Sequence, residues 1–161
     1  MKIQTNTLTT DTFFELYTSV GWEPPCREQV ECALKNTVAS FVAYEGEKAI
    51  GMVRLIGDGG MSFYIKDFAV LPKYQGMGVG KKLLNELQQY ISEHIEKEWA
   101  VSLELISTKE AVNFYKACGF EERPCEWDVA QGPGNPGLRG TERSVEPGMF
   151  KMIRGLQTLI D

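Results

Sequence analysis

The chain has 161 residues, of which 43% are hydrophobic and 24% charged, a balance typical of a globular protein with one core. We therefore expect residues 1–161 to form a single domain. The net charge of −5 argues against a nucleic-acid-binding protein, which would carry a basic surface. No apolar stretch approaches the roughly 20 residues of a membrane span, and residues 1–10 lack a signal-peptide core, so a cytoplasmic protein is expected.

The cysteines and the single histidine do not form a metal-binding pattern. No pair of cysteines has C-x-x-C spacing, and one histidine is too few to complete a zinc site with them. We expect reduced thiols and no metal. The residues concerned are Cys26, Cys32, Cys118, Cys125 and His94.

The N-terminal part of the chain predicts two helices. Apolar residues recur at helical spacing from Thr9 to Val20, with Thr10 and Asp11 as candidate caps and Gly21 as the end. A proline pair at 24–25 opens a second helix that runs to about Asn36.

Three strands are predicted next. They are expected at Ala39–Tyr44, Ala49–Ile56 and Ser62–Leu71, and are separated by polar or glycine-rich turns at 45–48 and 57–60. Short connections of this kind join neighbouring antiparallel strands. The three strands should therefore form a meander.

A glycine-rich run, Gln75-Gly76-Met77-Gly78-Val79-Gly80-Lys81, joins the third of these strands to an amphipathic helix. Glycines let backbone N–H groups approach a ligand closely, and a helix N-terminus adds unpaired donors and a positive dipole end. The run is therefore expected to bind phosphate. It is not a P-loop, because Lys82 stands where a hydroxyl is needed, and not a dinucleotide fingerprint, because Lys81 stands where a glycine is needed.

The helix after this run should extend from Gly80 to Glu98, because leucines and isoleucines repeat every three to four residues. A strand at Ala100–Ile106 follows and can lie parallel to the previous strand through this crossover. The next helix is expected from Ser107, with Ser107 and Glu110 as a capping box and Gly119 as a left-handed C-terminus.

Beyond Phe120, Glu126–Val129 and Phe150–Ile153 are predicted as paired strands. Between them, residues 131–140 are rich in glycine and proline. Long loops in compact domains are often functional. This one is expected to border an acceptor entrance or reach a neighbouring subunit, or else to be plain surface decoration.

Two motifs resemble the GNAT superfamily of N-acetyltransferases, in particular its small bacterial-type members with one domain. The first is Q-x-x-G-x-G at Gln75, Gly78 and Gly80, and the second is A-x-x-F-Y closed by G-F within Ser107–Phe120. They stand in the family's order and spacing, and the resemblance covers roughly residues 48 to 120. It implies an α/β (α+β) GNAT fold, with a mixed, mostly antiparallel sheet flanked by helices and with parallel strands 4 and 5 splayed apart.

The resemblance also implies the reaction, in which an amine attacks acetyl-CoA directly. Acetyl-CoA is then the co-substrate, the acceptor is a primary amine of a small molecule or a peptide, and a homodimer is common. The alternative from another class is a GNAT-fold module that binds acyl-CoA as a sensor or docking unit without turnover. The implied cofactor-binding residues are Phe68, Ala69, Val70, Gln75, Gly76, Met77, Gly78, Val79, Gly80, Lys81, Thr108 and Phe114.

Tyr115 stands where the family commonly has a tyrosine that protonates the departing thiolate. A phenol with a pKa near 10 is protonated at pH 7 and can act as a general acid. The structural alternative is that Tyr115 only packs beside Phe114 in the core. Thr108 departs from the family pattern, which often has an asparagine at that position in contact with the cofactor.

The general base has two candidates, Asp67 and Glu104, each on a strand expected at the active site. Arg54 also breaks the apolar pattern of its strand. If the hairpin register brings Arg54 to Asp67, both are structural and the amine loses its proton through water. Trp22 and Arg54 are candidate acceptor-binding residues, whereas His94 is expected only at the edge of its helix's packed stripe.

Overall fold

The computed structural model describes residues 1–123 and 147–155. The described residues form four α-helices, α1 (Thr10–Ser19), α2 (Arg27–Lys35), α3 (Val79–His94) and α4 (Val112–Ala117). Seven strands form one sheet in the order β1-β2-β3-β4-β5-β7-β6. They are β1 (Lys2–Thr5), β2 (Ala39–Glu45), β3 (Lys48–Gly57), β4 (Ser62–Val70), β5 (Ala100–Ile106), β6 (Glu121–Glu122) and β7 (Gly148–Arg154).

The mixed sheet confirms the predicted fold class. The pairs β1–β2, β2–β3 and β3–β4 are antiparallel, while β4 and β5 are parallel and are linked through α3. Within the part of the chain that the structure describes, no helix is long and apolar enough to cross a membrane. Residues 131–140 and the predicted strand Glu126–Val129 lie outside the described residues.

The described chain divides into two compact units. One comprises Met1–Leu103 and the segment from Met152 onward, and the other comprises Glu104–Lys151. The glycine-rich run lies in the first unit, and Tyr115 lies in the second. The expectation of a single domain stays a prediction.

The core of the first unit centres on β3. All seven residues from Ala49 to Leu55 are buried, which requires cover on both faces of the strand. Both α1 and α3 pack against β3. Gly51 permits the close approach of α3, because a Cβ there would lie 3.2 Å from Leu83 Cδ1.

β4 contains a bulge that strand alternation did not predict. Met52 pairs with Ala69 and Arg54 with Lys66, so two steps along β3 correspond to three along β4. The extra residue lies at Asp67, whose φ is 48°. Because the bulge interrupts the two-residue period, Ile65, which pairs with Leu55, and Ala69, which pairs with Met52, lie on opposite faces of the sheet.

The ends of the first three helices differ from the predictions for local reasons. Thr9, rather than Thr10 or Asp11, caps α1 by accepting a hydrogen bond from the Thr12 N–H (3.2 Å). α2 begins at Arg27 after an extended Cys26, so the proline pair precedes the helix instead of opening it. α3 ends at His94 because Ile95 is extended (ψ 159°).

A first strand was missed because it has little sequence signal. β1 has only one apolar residue, Ile3, and pairs antiparallel with β2 from Lys2↔Tyr44 to Thr5↔Phe41. Its formation depends on backbone hydrogen bonds to an existing strand, which hydrophobic periodicity does not reveal.

In the second unit, the expected single helix after β5 is two shorter pieces. A 3₁₀ turn at Lys109–Ala111 leads into α4. The capping box was wrong, since the buried Ser107 hydroxyl donates to the Thr108 carbonyl (2.7 Å). The left-handed Gly119 was confirmed (φ 83°). β7 contains the predicted strand at 150–153 and pairs antiparallel with β6, one of its two neighbours in the sheet order.

Candidate functional site

The glycine-rich run forms an exposed loop between β4 and α3. A 3₁₀ turn at Pro72–Tyr74 ends the strand, and Gly76 and Gly78 follow with φ of 74° and 80°. Those left-handed conformations favour glycine. A Cβ built at either glycine would meet nothing within 4 Å, so open space lies beside the backbone at both positions.

The first turn of α3 presents unpaired backbone donors. Gly78 is the N-cap and offers no side chain to accept from the first N–H groups, and the first helical bond runs from Lys82 N to Gly78 O (3.1 Å). The N–H groups of Val79, Gly80 and Lys81 therefore have no intrahelical acceptor. Together with the positive end of the helix dipole and the exposed Lys81, they suit an anion such as phosphate.

Two side chains hold the entry to this loop. Gln75 Nε2 donates to the Val70 carbonyl (3.0 Å), and the Tyr74 hydroxyl donates to Glu45 Oε2 (2.5 Å). Val79 is buried behind the loop, while Met77 is exposed at its tip. Glu45 and Tyr74 were not candidates from the sequence, because nothing local signals a contact between residues 29 positions apart.

The bulge on β4 is built around a buried ion pair. Arg54 Nε lies 2.5 Å from Asp67 Oδ2, with 10% of the arginine side chain and 14% of the aspartate side chain exposed. Arg54 Nη1 also donates to the Ala33 carbonyl (3.0 Å) and to Thr37 Oγ1 (2.8 Å). The pairing of Arg54 with Asp67, which depended on the hairpin register, is thus present. Through Arg54 it connects α2 to the bulge.

The residues after Asp67 lead from the bulge to the loop. Phe68 and Val70 are half-buried, and Ala69 is buried and paired with Met52 of β3. Directly before the start of β4, the Met61 carbonyl accepts a hydrogen bond from the Ser102 N–H of β5 (3.0 Å).

In the second unit, Tyr115 lies in an aromatic cluster. It is 8% exposed, and its ring centroid lies 5.1 Å from that of Phe114 and 5.7 Å from that of Phe120. Burial, together with the charge of the nearby Cys118, raises the pKa of the Tyr115 phenol well above its ordinary value near 10. The phenol therefore holds its proton at neutral pH.

Two other candidates in the second unit have defined surroundings. Arg123 Nη2 donates to Glu104 Oε1 at 2.6 Å, and the glutamate side chain is 28% exposed. Thr108 is exposed and precedes the 3₁₀ turn. The pKa of the Glu110 carboxyl is lowered by its own backbone N–H and by the Thr108 hydroxyl.

The remaining candidates lie in the first unit, away from each other along the chain. The Trp22 side chain is partly exposed, and its ring centroid lies 4.9 Å from that of Tyr17. His94 is exposed at the end of α3, where its ring stacks on Tyr90 at 3.9 Å.

Comparison with known proteins places this arrangement in one family. The family model described as an acetyltransferase (GNAT) domain matches residues 36–122, which is more than half of the chain and includes both sequence motifs. The uncharacterized N-acetyltransferase ycf52 of Pyropia yezoensis is 30% identical over 114 residues. That match covers 68% of this chain and 63% of the relative, so the chain spans less than two thirds of the curated proteins of this kind.

Comparison with solved structures gives the same family. The GNAT family acetyltransferase SP0256 from Streptococcus pneumoniae TIGR4 is 32% identical, with a TM-score of 0.62 over 74% of this chain and 86% of that one. An aminoglycoside 6'-N-acetyltransferase complexed with coenzyme A shares the fold, with a TM-score of 0.69 over 98% of this chain and 99% of that one at 14% identity. On this evidence the chain belongs to the GNAT acetyltransferase family.

Proposed function

We propose that the protein is an N-acetyltransferase that moves an acetyl group from acetyl-CoA to a primary amine. The observation that carries the proposal is the loop at Gln75–Lys81, whose two left-handed glycines border open space at an uncapped helix N-terminus. This arrangement suits a pyrophosphate. The coenzyme A complex of a protein with the same fold supports that choice of ligand.

The donor is proposed to bind mainly through backbone groups. Phe68, Ala69 and Val70 would pair with the pantetheine arm as another strand would, and the N–H groups from Gly76 to Lys81 would hold the phosphates. The bulge supports this role, because it interrupts the ordinary pairing of β4 where these residues begin. Thr108 and Phe114 are proposed as further contacts on the strength of the second motif alone.

The proposed reaction is a direct transfer. The amine nitrogen forms a bond to the acetyl carbonyl carbon, and the bond between that carbon and sulfur breaks. Tyr115 donates its phenolic proton to the departing thiolate. The phenol arrives protonated at neutral pH, as a general acid must, and the assignment itself rests on the second motif.

The proton lost by the amine is assigned to water. Asp67 is engaged by Arg54, and Glu104 by Arg123, so both candidate bases already have a cationic partner. The acidic limb of the pH profile of kcat/KM should persist in Asp67→Asn and Glu104→Gln. Loss of that limb in either variant would identify the base and overturn the assignment to water.

The deciding experiment incubates the protein with acetyl-CoA and a panel of polyamines, amino sugars, aminoglycosides and peptide N-termini, and measures thiol release. Amine-dependent release supports the transferase. Binding of coenzyme A without release over the whole panel would favour an acyl-CoA sensor or docking module. The identity of the amine, a homodimeric state and a cytoplasmic location stay predictions, as do the roles of Trp22 and Arg54 toward an acceptor.

A further inference from the structure

The Tyr74 side chain joins the proposed phosphate loop to the central sheet. Tyr74 is the last residue of the 3₁₀ turn and directly precedes Gln75, the first residue of the loop. Its hydroxyl donates to Oε2 of Glu45 at the end of β2 (2.5 Å), although only 8% of Tyr74 is exposed. Glu45 is itself paired with Lys48 across the β2–β3 hairpin.

The backbone hydrogen bonds around Tyr74 show what the bond to Glu45 adds. Tyr74 N donates to Leu71 O (2.8 Å) and Gln75 N to Pro72 O (3.2 Å), so both bonds stay within the turn, whose start is held to β3 by Leu71 N donating to Ile50 O (2.9 Å). Gln75 then reaches back to Val70 of the same segment. The bond between Tyr74 and Glu45 connects the loop entry to a second strand, at the exposed end of β2.

We propose that Tyr74 and Glu45 are positioning residues that set the geometry of the loop from Gln75 to Lys81 for the phosphates of the donor. This rests on the proposed function. A loop that binds through backbone N–H groups must hold them at fixed directions, and a displacement of about 1 Å is costly at such sites. A hydrogen bond to a carboxylate is among the stronger means of fixing such a segment.

The sign of the charge effect separates positioning from electrostatics. Glu45 is an anion, so removing it should strengthen the binding of anionic coenzyme A if only Coulomb forces matter. Positioning requires the opposite result. Glu45→Gln removes the charge but keeps an oxygen that accepts from Tyr74, and Glu45→Ala removes both.

The experiment measures the Kd of coenzyme A by calorimetry and hydrogen exchange of the amides at 75–82 without ligand. We expect Tyr74→Phe and Glu45→Ala each to raise Kd roughly tenfold, the double variant to be no worse, and Glu45→Gln to stay close to wild type. The loop amides should exchange faster in the two disruptive variants. Matched controls are Tyr44→Phe, whose hydroxyl lies 3.5 Å from Thr7 Oγ1, and Glu47→Ala in the same hairpin turn, and neither should change Kd.

Each contrary result has its own meaning. Unchanged or tighter binding in Glu45→Ala, or an equal loss in Glu47→Ala, would overturn the positioning role. If the wild-type protein does not bind coenzyme A, the proposed function fails, and loop exchange still decides whether Tyr74 and Glu45 order the loop. If Tyr74→Phe does not fold, Glu45→Ala and Glu45→Gln carry the comparison alone.

Discussion

The loop at Gln75–Lys81 and the bulge at Asp67 lie a few residues apart on one segment, yet they are built in different ways. The loop depends on its own glycines and on the start of the helix that follows. At the bulge, Asp67 pairs with Arg54 of β3, and Arg54 in turn donates to the Ala33 carbonyl of α2. Local conformation therefore forms the loop, with one long-range hydrogen bond, from Tyr74 to Glu45, at its entry, whereas long-range contacts surround the bulge throughout.

This difference bears on how candidate residues are judged. A carboxylate among apolar residues on a strand marks a functional site or a structural pair. At Asp67 the structure shows the pair, with Arg54 at 2.5 Å. At the loop, the groups proposed to bind a ligand are backbone N–H groups, which no ion pair with a distant side chain neutralises.

The largest effect is expected from breaking the pair at the bulge. Arg54→Met leaves the Asp67 carboxylate largely buried without its partner, and should lower the free energy of unfolding by about 3 kcal/mol or more. Urea unfolding measures this change. The matched control is Arg27→Met, whose partners Asp11 and Glu31 are exposed, and it should leave the urea midpoint close to that of the wild type. Equal losses of stability in Arg54→Met and Arg27→Met would contradict the idea that the pair at the bulge matters more than a surface pair.

The next effect concerns Tyr115, a side chain whose environment is also set by tertiary contacts. Tyr115→Phe should lower kcat about 100-fold, with little change in the KM for acetyl-CoA, because only the thiolate's proton donor is removed. Steady-state kinetics on the acceptor found in the panel measures both values. An unchanged kcat would leave Tyr115 as a packing residue.

The same variant has a pH signature. Since folding raises the pKa of Tyr115, the unfolded chain loses this proton first, at about pH 10. Stability is thus full below pH 10 and falls as pH rises toward the folded-state pKa, by up to about 1.4 kcal/mol per pH unit. Urea midpoints between pH 9 and 11.5 should show this fall in the wild type, and a smaller one in Tyr115→Phe. Parallel curves would contradict the burial of the phenol.

The smallest effect on folding, and a specific one on binding, is expected at the loop. Gly78→Ala forces a Cβ into a left-handed residue at a cost of about 1 kcal/mol and into the space proposed for phosphate, so the Kd of coenzyme A should rise about tenfold. Gly59→Ala is a close control, since Gly59 also has a φ of 80° with nothing within 4 Å of its Cβ. It should lose similar stability and bind coenzyme A normally. If both variants bind alike, the loop is not the phosphate site.

Prediction from the sequence succeeded where structure depends on neighbours along the chain. β5 has its predicted bounds, and Leu83, Leu84, Leu87 and Ile91 of the α3 stripe are buried as expected. The helical period and the strand period are properties of short segments, so they can be recognised without knowing the fold. The family motifs lie in the same segments.

Prediction from the sequence failed where the structure depends on a partner far away along the chain. β1 exists because β2 offers hydrogen bonds, and the Asp67 bulge shifts the register between β3 and β4. In each case the local signal allowed more than one structure.

By itself, the sequence determined a glycine loop at the start of an amphipathic helix and, through two motifs, the family. The tertiary structure decided the partners of the charged and hydroxyl-bearing side chains: Arg54 for Asp67, Arg123 for Glu104 and Glu45 for Tyr74. The physical reason is the distance along the chain over which each kind of interaction acts. Backbone conformation follows from the residues beside it, whereas ion pairs and side-chain hydrogen bonds join positions that only the folded chain brings together.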